Sequence, residues 1–305
     1  MATTIPSWWI LSQLYGIIRV VKIEIEAPAK INLYLRVLGR RPDGYHDIDT
    51  LITRISLADT VTIEQRPEKR PAEISVSCPG FPEISGKANL AYRAAELYLA
   101  AKGSNFGLNI LIHKKIPVAA GLGGGSSDAA AVLLGLDRLS TGGLGSEHLH
   151  QLACELGADV PFFLRRGTCR ARGIGHDLEQ VGSLPAFWVI LACAPFGLSA
   201  RKVYESLKFP LTSNCHDDRN TPLIRDGALS ELALRLHNDL QAVGERIKPV
   251  IRRVYDEMLR AGATGALMSG SGPTVFGLSA SEKEAYSVRE KIKKERDWRY
   301  LVAKG

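Results

Sequence analysis

The sequence predicts an α+β protein of two lobes. Segments with apolar residues at every second position alternate with segments of helical spacing, and small-residue loops separate them. At 305 residues the chain is long enough to bury a core in each lobe. The boundaries are set at 1–20 for an N-terminal extension, 21–170 for the first lobe and 171–305 for the second.

Taken in order, residues 5–21 are apolar and aromatic, but Pro6, Ser12, Gln13 and Arg19 interrupt them. The run is too short and too polar to span a bilayer, so no stable membrane insertion is expected. No basic region precedes it and no clear small-residue cleavage site follows, which argues against a secretory signal. It reads as a non-essential extension, with a peripheral membrane or partner contact as the alternative. From Val21 onward, Ile23 and Ile25 flank charged residues as in a strand. Val61/Ile63, Ile74/Val76 and Leu108/Ile110/Ile112 repeat that period of two. Asn89 to Lys102 carries Leu90, Ala94, Leu97 and Ala101 at helical spacing and stops at Gly103. A glycine loop follows, then a helix through Leu139, the breaker Thr141-Gly-Gly-Leu-Gly and a helix around His148 to Leu156. Phe187-Trp-Val-Ile-Leu-Ala opens a second strand-rich region, and Pro210 to Pro222 is a polar, turn-rich loop. Leu229 to Leu240 and Lys248 to Ala261 read as helices, and Thr274 to Leu278 as a strand.

Composition excludes several classes. With 45% hydrophobic and 23% charged residues this is an ordinary globular chain, and its net charge of +7 suits an anionic substrate. No dense Lys/Arg run is interleaved with aromatics, so no nucleic-acid partner is expected. Arg289 to Arg296 mixes both signs and reads as a solvated helix face. Five scattered cysteines (78, 154, 169, 193, 215) form neither a disulfide framework nor a zinc site, which points to the cytoplasm. His148 and His150 lack partners at ligand spacing, so no metal site is assigned there. The oligomeric state stays open.

The most informative segment is Lys115 to Ser127, with four glycines at 121, 123, 124 and 125. Bare backbone lets a ligand reach the amides, and Ser126, Ser127 and Asp128 are good cap types for the helix that follows. A bare loop entering a helix N-terminus binds phosphate. The loop lacks the Gly-Lys-Ser/Thr of a Walker motif, and serine and aspartate stand where a G-x-G-x-x-G fingerprint needs its third glycine. Three more blocks carry chemistry: Ala27-Pro-Ala-Lys30-Ile-Asn32 with Pro42-Asp43-Gly44-Tyr45-His46, then Leu156-Gly-Ala-Asp159-Val-Pro, then Met268-Ser-Gly-Ser-Gly-Pro-Thr274. Taken singly, Lys30 reads as a surface lysine and Asp159 as a turn residue. Phosphoryl transfer needs a carboxylate on the attacking hydroxyl and a nearby cation, and Lys30 with Asp159 would supply both.

These four blocks in this order resemble the galactokinase, homoserine kinase, mevalonate kinase and phosphomevalonate kinase (GHMP) superfamily, from about Val21 to the C-terminus. The resemblance implies an N-terminal ATP-loop lobe and a C-terminal α/β lobe, with ATP as co-substrate. It implies that Lys114 and the run Pro117, Val118, Ala119, Ala120, Gly121, Leu122, Gly123, Gly124, Gly125, Ser126 and Ser127 bind ATP. Mg²⁺ is expected with ATP; no dedicated ligand set is evident, although Ser127 is a candidate. Lys30 and Asp159 take the catalytic positions, and Asn32, Tyr45, His46 and Tyr204 face the substrate. The Tyr45-His46 block implies the branch that phosphorylates the 2-hydroxyl of a cytidine diphosphate-linked methylerythritol, in non-mevalonate isoprenoid synthesis. Two positions depart from the pattern: Ala200 lacks a threonine hydroxyl, and His176 stands for a glutamate. The alternatives are a homoserine or mevalonate type of kinase and a catalytically silent nucleotide-binding module.

Overall fold

A computed structural model describes residues 21–66, 73–104, 106–182, 184–208 and 228–305. The extension expected over 1–20 and the loop expected over 210–222 lie outside the described residues.

Two long strands organise the first sheet. β1 (Val21–Arg40) runs antiparallel to β2 (His46–Arg66) along most of its length. Their turn is closed by Arg41 N donating to Tyr45 O and by the Asp43 carboxylate accepting from Tyr45 N, with Gly44 at φ +87°. Pro42-Asp43-Gly44 thus supplies the turn chemistry its sequence advertises. The far edge of β2 is shared. β4 (Gly107–His113) pairs with residues 60–66, and β5 (Cys169–Gly173) pairs with residues 48–52. β3 (Ile74–Ser77) adds in parallel to β4, and β6 (Asp177–Gln180) adds to β5. The first sheet therefore continues past residue 170, through Gln180. One more strand comes from far along the chain: β8 (His237–Asn238) lies parallel to β1, with Tyr34 opposite His237.

Helices cover one face of this sheet. α1 (Leu90–Lys102) starts at Asn89, whose Oδ1 accepts from Ala91 N, and ends at left-handed Gly103, as its spacing predicts. α2 (Gly124–Leu139), α3 (Gly145–Leu156) and α4 (Val160–Leu164) complete the layer. Ile63, Leu108, Ile110 and Ile112 meet Tyr98, Leu133, Leu136 and Phe162 there. At Gly135 a Cβ would lie 2.5 Å from Ile63 Cδ1, so a side chain there would force Ile63 to shift.

The second sheet runs in the order β11 (Arg299–Lys304), β7 (Trp188–Cys193), β10 (Val275–Ser279), β9 (Gly265–Met268), antiparallel throughout. α5 (Ala200–Glu205), α6 (Leu229–Leu234), α7 (Gln241–Ile247), α8 (Val250–Arg260) and α9 (Glu282–Lys291) belong to this half. The helix expected over 229–240 is corrected: it ends at Leu234, and β8 follows. Backbone bonds to β1, including Asp239 N to Leu35 O, capture those residues and override their helical spacing.

Both faces of the second sheet are buried, and alternation along its strands decides which side each residue serves. Ile190, Ala192 and Val275 pack with Val254 and Met258 under the helices. Val189, Leu191, Phe276 and Leu278 pack on the other side against Ala29, Ile31 and Leu33 of β1. This shared core joins the lobes. It also fixes the even-numbered residues of β1 on the opposite face, and two of these are Lys30 and Asn32. Among the described residues no helix is long and apolar enough to cross a membrane.

Candidate active site

Lys30 is 5% exposed, and its Nζ donates to Asn32 Oδ1 at 2.8 Å. Asp159 Oδ2 lies 3.6 Å from the same ammonium. Asp159 occupies the turn between α3 and α4, where Gly157 ends the first helix and Pro161 stands in the first turn of the next. Its side chain makes no cap bond and is 44% exposed, so the carboxylate is available to a bound molecule. The fold thus brings together a buried lysine and a carboxylate separated by most of the first lobe.

The glycine loop passes beside this pair. Lys30 N donates to Leu122 O at 2.9 Å, pinning the loop to β1. On its other side Ser269 Oγ donates to Gly121 O, and Thr274 N donates to Ala120 O. A Cβ on Gly121 would stand 2.7 Å from both Ser269 O and Gly272 O, so the second lobe grips the loop only because that residue is bare. The helix start differs from expectation. α2 begins at Gly124, with left-handed Gly123 at its N-cap and no side-chain cap, and Ser126, Ser127 and Asp128 fall inside the helix. A serine or aspartate cap would have covered the first amides; the glycine start leaves them uncapped by side chains. Around Gly125 a Cβ would meet nothing within 4 Å.

Two cavities adjoin along this loop. The larger, about 720 Å³, is lined by Lys30, Asn32, Tyr45, His46, Asp159 and Tyr204, with Thr50, Ala200, Gly270 and Ser271. The smaller, about 420 Å³, is lined by Lys114, Pro117 to Ser126 and Asp128. Ser126 lines both, so the two share that wall, and Lys30 and Asp159 line the larger one. Arg40 and Arg201 add positive charge to the larger cavity. His176 is exposed and does not line it. Ser127, expected to contact ATP, is instead buried in α2 and lines neither cavity, and its Oγ has no hydrogen-bond partner. Such an orphaned hydroxyl fits a hard, oxygen-seeking cation of the Mg²⁺ kind. Among the described residues no three His, Cys, Asp or Glu side chains cluster to hold a metal by themselves.

The aromatic residues meet in a way the sequence did not foretell. The Tyr204 and His46 rings stack on each other, with centroids 5.2 Å apart at 29°, while Tyr45 is exposed beside them. Burial, and then the nearby Asp159 charge, raises the Tyr204 phenol. Burial, and then Arg40, lowers His46, which favours its neutral form.

Several residues of the site carried no readable signal. Glu83, Ile84, Asn89 and Leu90 line the smaller cavity, although the sequence marked Asn89 only as the start of a helical segment. Asp59 lies fully buried in β2. Its Oδ1 accepts from Ile116 N at 2.8 Å, and its Oδ2 accepts from Lys114 Nζ. Lys114 also donates to Asp128 Oδ2 at 2.7 Å. The two ends of the loop are therefore tied to one lysine, and the Lys114 ammonium is engaged by both carboxylates. Burial opposes the Lys114 charge, but those carboxylates outweigh it and raise its pKa; burial also pushes Asp128 up to about 7. An acid in the middle of an apolar strand, as at Asp59, was the available clue, because such a charge demands a partner.

The chain matches the GHMP kinases N terminal domain over residues 89–167 and the GHMP kinases C terminal domain over 221–296. It is 44% identical over 283 residues to a 4-diphosphocytidyl-2-C-methyl-D-erythritol kinase of Geobacter metallireducens, covering 92% of this chain and 97% of the relative. A crystal structure of 4-(cytidine 5'-diphospho)-2C-methyl-D-erythritol kinase superposes with a TM-score of 0.73 at 36% identity, covering 92% of this chain and 98% of that one. A homoserine kinase from Cytophaga hutchinsonii superposes with a TM-score of 0.70 at 19% identity, over 93% and 94% of the two chains, a likeness of fold.

Proposed function

Because the chain belongs to the GHMP kinases, among the 4-diphosphocytidyl-2-C-methyl-D-erythritol kinases, we propose that its two cavities hold the two substrates of one phosphoryl transfer. The reaction is the ATP-dependent phosphorylation of the 2-hydroxyl of 4-diphosphocytidyl-2-C-methyl-D-erythritol, in the non-mevalonate pathway to isoprenoid precursors. The observation that carries the division is that Lys30 and Asp159, 3.6 Å apart, line the larger cavity, while Lys30 is also bonded to the loop that walls the smaller one.

ATP occupies the smaller cavity, its phosphates on the uncapped amides at the start of α2 and the bare backbone of Gly121 to Gly125. Asp59, Lys114 and Asp128 hold that loop in shape from behind. The cytidine end of the acceptor lies against Tyr45, His46 and Tyr204, and Arg40 and Arg201 face its diphosphate. Asp159 accepts the proton of the attacking hydroxyl or aligns it. Lys30 keeps that carboxylate in place and stabilises charge on the phosphoryl group in flight. Mg²⁺ bound with ATP neutralises phosphate charge, and Ser127 would hold it. The free thiols of Cys78, Cys154, Cys169 and Cys193 suit a reducing cytoplasm, where ATP is supplied.

An ATP-consumption assay tests the reading with three acceptors. Turnover is expected with the cytidylated methylerythritol and not with homoserine or mevalonate. Turnover with either of the latter alone would overturn the substrate. Tight ATP binding with no turnover on any of them would make this a silent nucleotide-binding protein.

A further inference from the structure

The acceptor side of the site contains a directional hydrogen-bond chain that ends on a residue with no part in the mechanism so far. Lys30 Nζ donates to Asn32 Oδ1 at 2.8 Å, Asn32 Nδ2 donates to Thr50 Oγ1 at 2.9 Å, and Thr50 Oγ1 donates to Tyr34 O at 2.6 Å. The direction of each step is forced. An ammonium only donates, so Asn32 must present its oxygen to Lys30, which leaves its amide nitrogen facing Thr50. The Thr50 hydroxyl accepts that bond and spends its own proton on the Tyr34 carbonyl. Lys30, Asn32 and Thr50 are all at least 95% buried, so an unmade bond here finds little water to replace it.

We propose that Thr50 is a positioning residue for the phosphoryl transfer. Its hydroxyl, kept an acceptor by its own bond to the Tyr34 carbonyl, holds Asn32 from the far side in the orientation that presents an oxygen to the Lys30 ammonium. Without the hydroxyl, a turn of the amide about its Cβ–Cγ axis would set two donors, Nδ2 and Nζ, against each other. Gly270 of the second lobe stands beside the pair: a Cβ there would lie 3.0 Å from Asn32 Oδ1 and 3.5 Å from Lys30 Nζ, so the bare residue is what leaves room for the bond between them. This inference rests on the proposed role of Lys30, and the experiment separates the two.

The test is a double-mutant cycle of Asn32→Ala and Thr50→Val, reading kcat, both KM values and melting temperature. Thr50→Val is expected to lower kcat about ten- to a hundredfold, the scale of one buried unpaired polar group, with the KM for ATP little changed. Thr50→Ser keeps the hydroxyl and is expected to recover turnover to within about threefold. In the Asn32→Ala background, Thr50→Val is expected to add no more than about twofold, since Thr50 acts through Asn32. Losses that multiply in the double mutant overturn the proposal, as does a serine variant as slow as the valine one. A fall in melting temperature at unchanged kcat overturns it too, because it leaves only a structural role. If the valine variant does not fold, Thr50→Ala takes its place in the cycle. Lys30→Met run alongside keeps the premises apart: full turnover there refutes the site itself, whereas multiplied losses beside an inactive Lys30→Met refute only the relay.

Discussion

Lys30 and Asp159 act on one hydroxyl in the proposed reaction, so their contributions are coupled. Asp159→Asn is expected to cost about 10²–10⁴-fold in kcat with little change in either KM. Lys30→Met is expected to cost a similar factor, and the double mutant to be no slower than the slower single one. Steady-state kinetics decide this, and multiplied losses would assign the two residues to separate steps. Asp128 gives a pH signature at the same scale. Its folded pKa of about 7 stands above the ordinary carboxylate value of about 3.9, because burial disfavours its charge. The native state thus holds this proton more tightly than the unfolded chain does. Its stabilising contribution is complete below about pH 4 and is lost as the pH rises through about 7. The melting temperature of nucleotide-free, metal-free protein should fall between pH 5 and 8, and Asp128→Asn should flatten that fall. Equal slopes in both proteins would refute it.

At the scale of the element, the start of α2 is the proposed phosphate cradle, and its glycines are not interchangeable. Gly121 and Gly123 have positive φ and crowded surroundings. Gly124 has ordinary helical geometry but lies against Ile116, where a Cβ would stand 3.1 Å from Cγ2. Only Gly125 combines a place in the cavity wall with open space for a side chain. Gly125→Val is therefore the cleaner probe of the phosphate cradle. It should raise the apparent Kd for ATP by about tenfold or more while leaving thermal stability close to wild type. Calorimetric titration with ATP reads the first effect and a melting curve the second; an unchanged Kd would remove phosphate from this helix end. Gly121→Ala makes the contrasting case. Contact at 2.7 Å with two carbonyls of the second lobe should lower melting temperature and ATP affinity together.

The lobes of the whole molecule are joined by the apolar layer in which Phe276 and Leu278 meet Ile31 and Leu33. Phe276 is completely buried there, so Phe276→Ala should cost about 3–5 kcal/mol through lost contacts and a cavity. Because the layer belongs to both sheets, denaturant should unfold the native chain in one transition. Fluorescence and circular dichroism with coincident midpoints would bear this out; separated midpoints would show lobes that fold independently. The same layer aims the catalytic face. Ile31 and Leu33 commit one side of β1 to the core, so Lys30 and Asn32 must turn to the other.

Whatever depends on local periodicity and local backbone chemistry was legible in the residues alone. α1 occupies the segment its spacing marks and stops at Gly103, and the strand alternation at Ile23, Val61 and Leu108 survives in the sheet. The glycine run marks a bare loop entering a helix start, and α2 does begin within it, at Gly124. Where long-range pairing outweighs local preference, the outcome emerges only once the sheets are assembled. β8 exists because β1 offers an unpaired edge, and α2 begins at a left-handed glycine because β1 and residues 269–274 clamp the loop from both sides. The partners of buried charge belong to the same class. Lys114 finds Asp59, and Lys30 reaches Asn32 and then Thr50, through bonds that exist only once β1, β2 and the loop are assembled. Sequence spacing encodes which face of one element a residue occupies. What stands opposite that face is set by the packing of other elements, and the desolvated charges of this site depend on that packing.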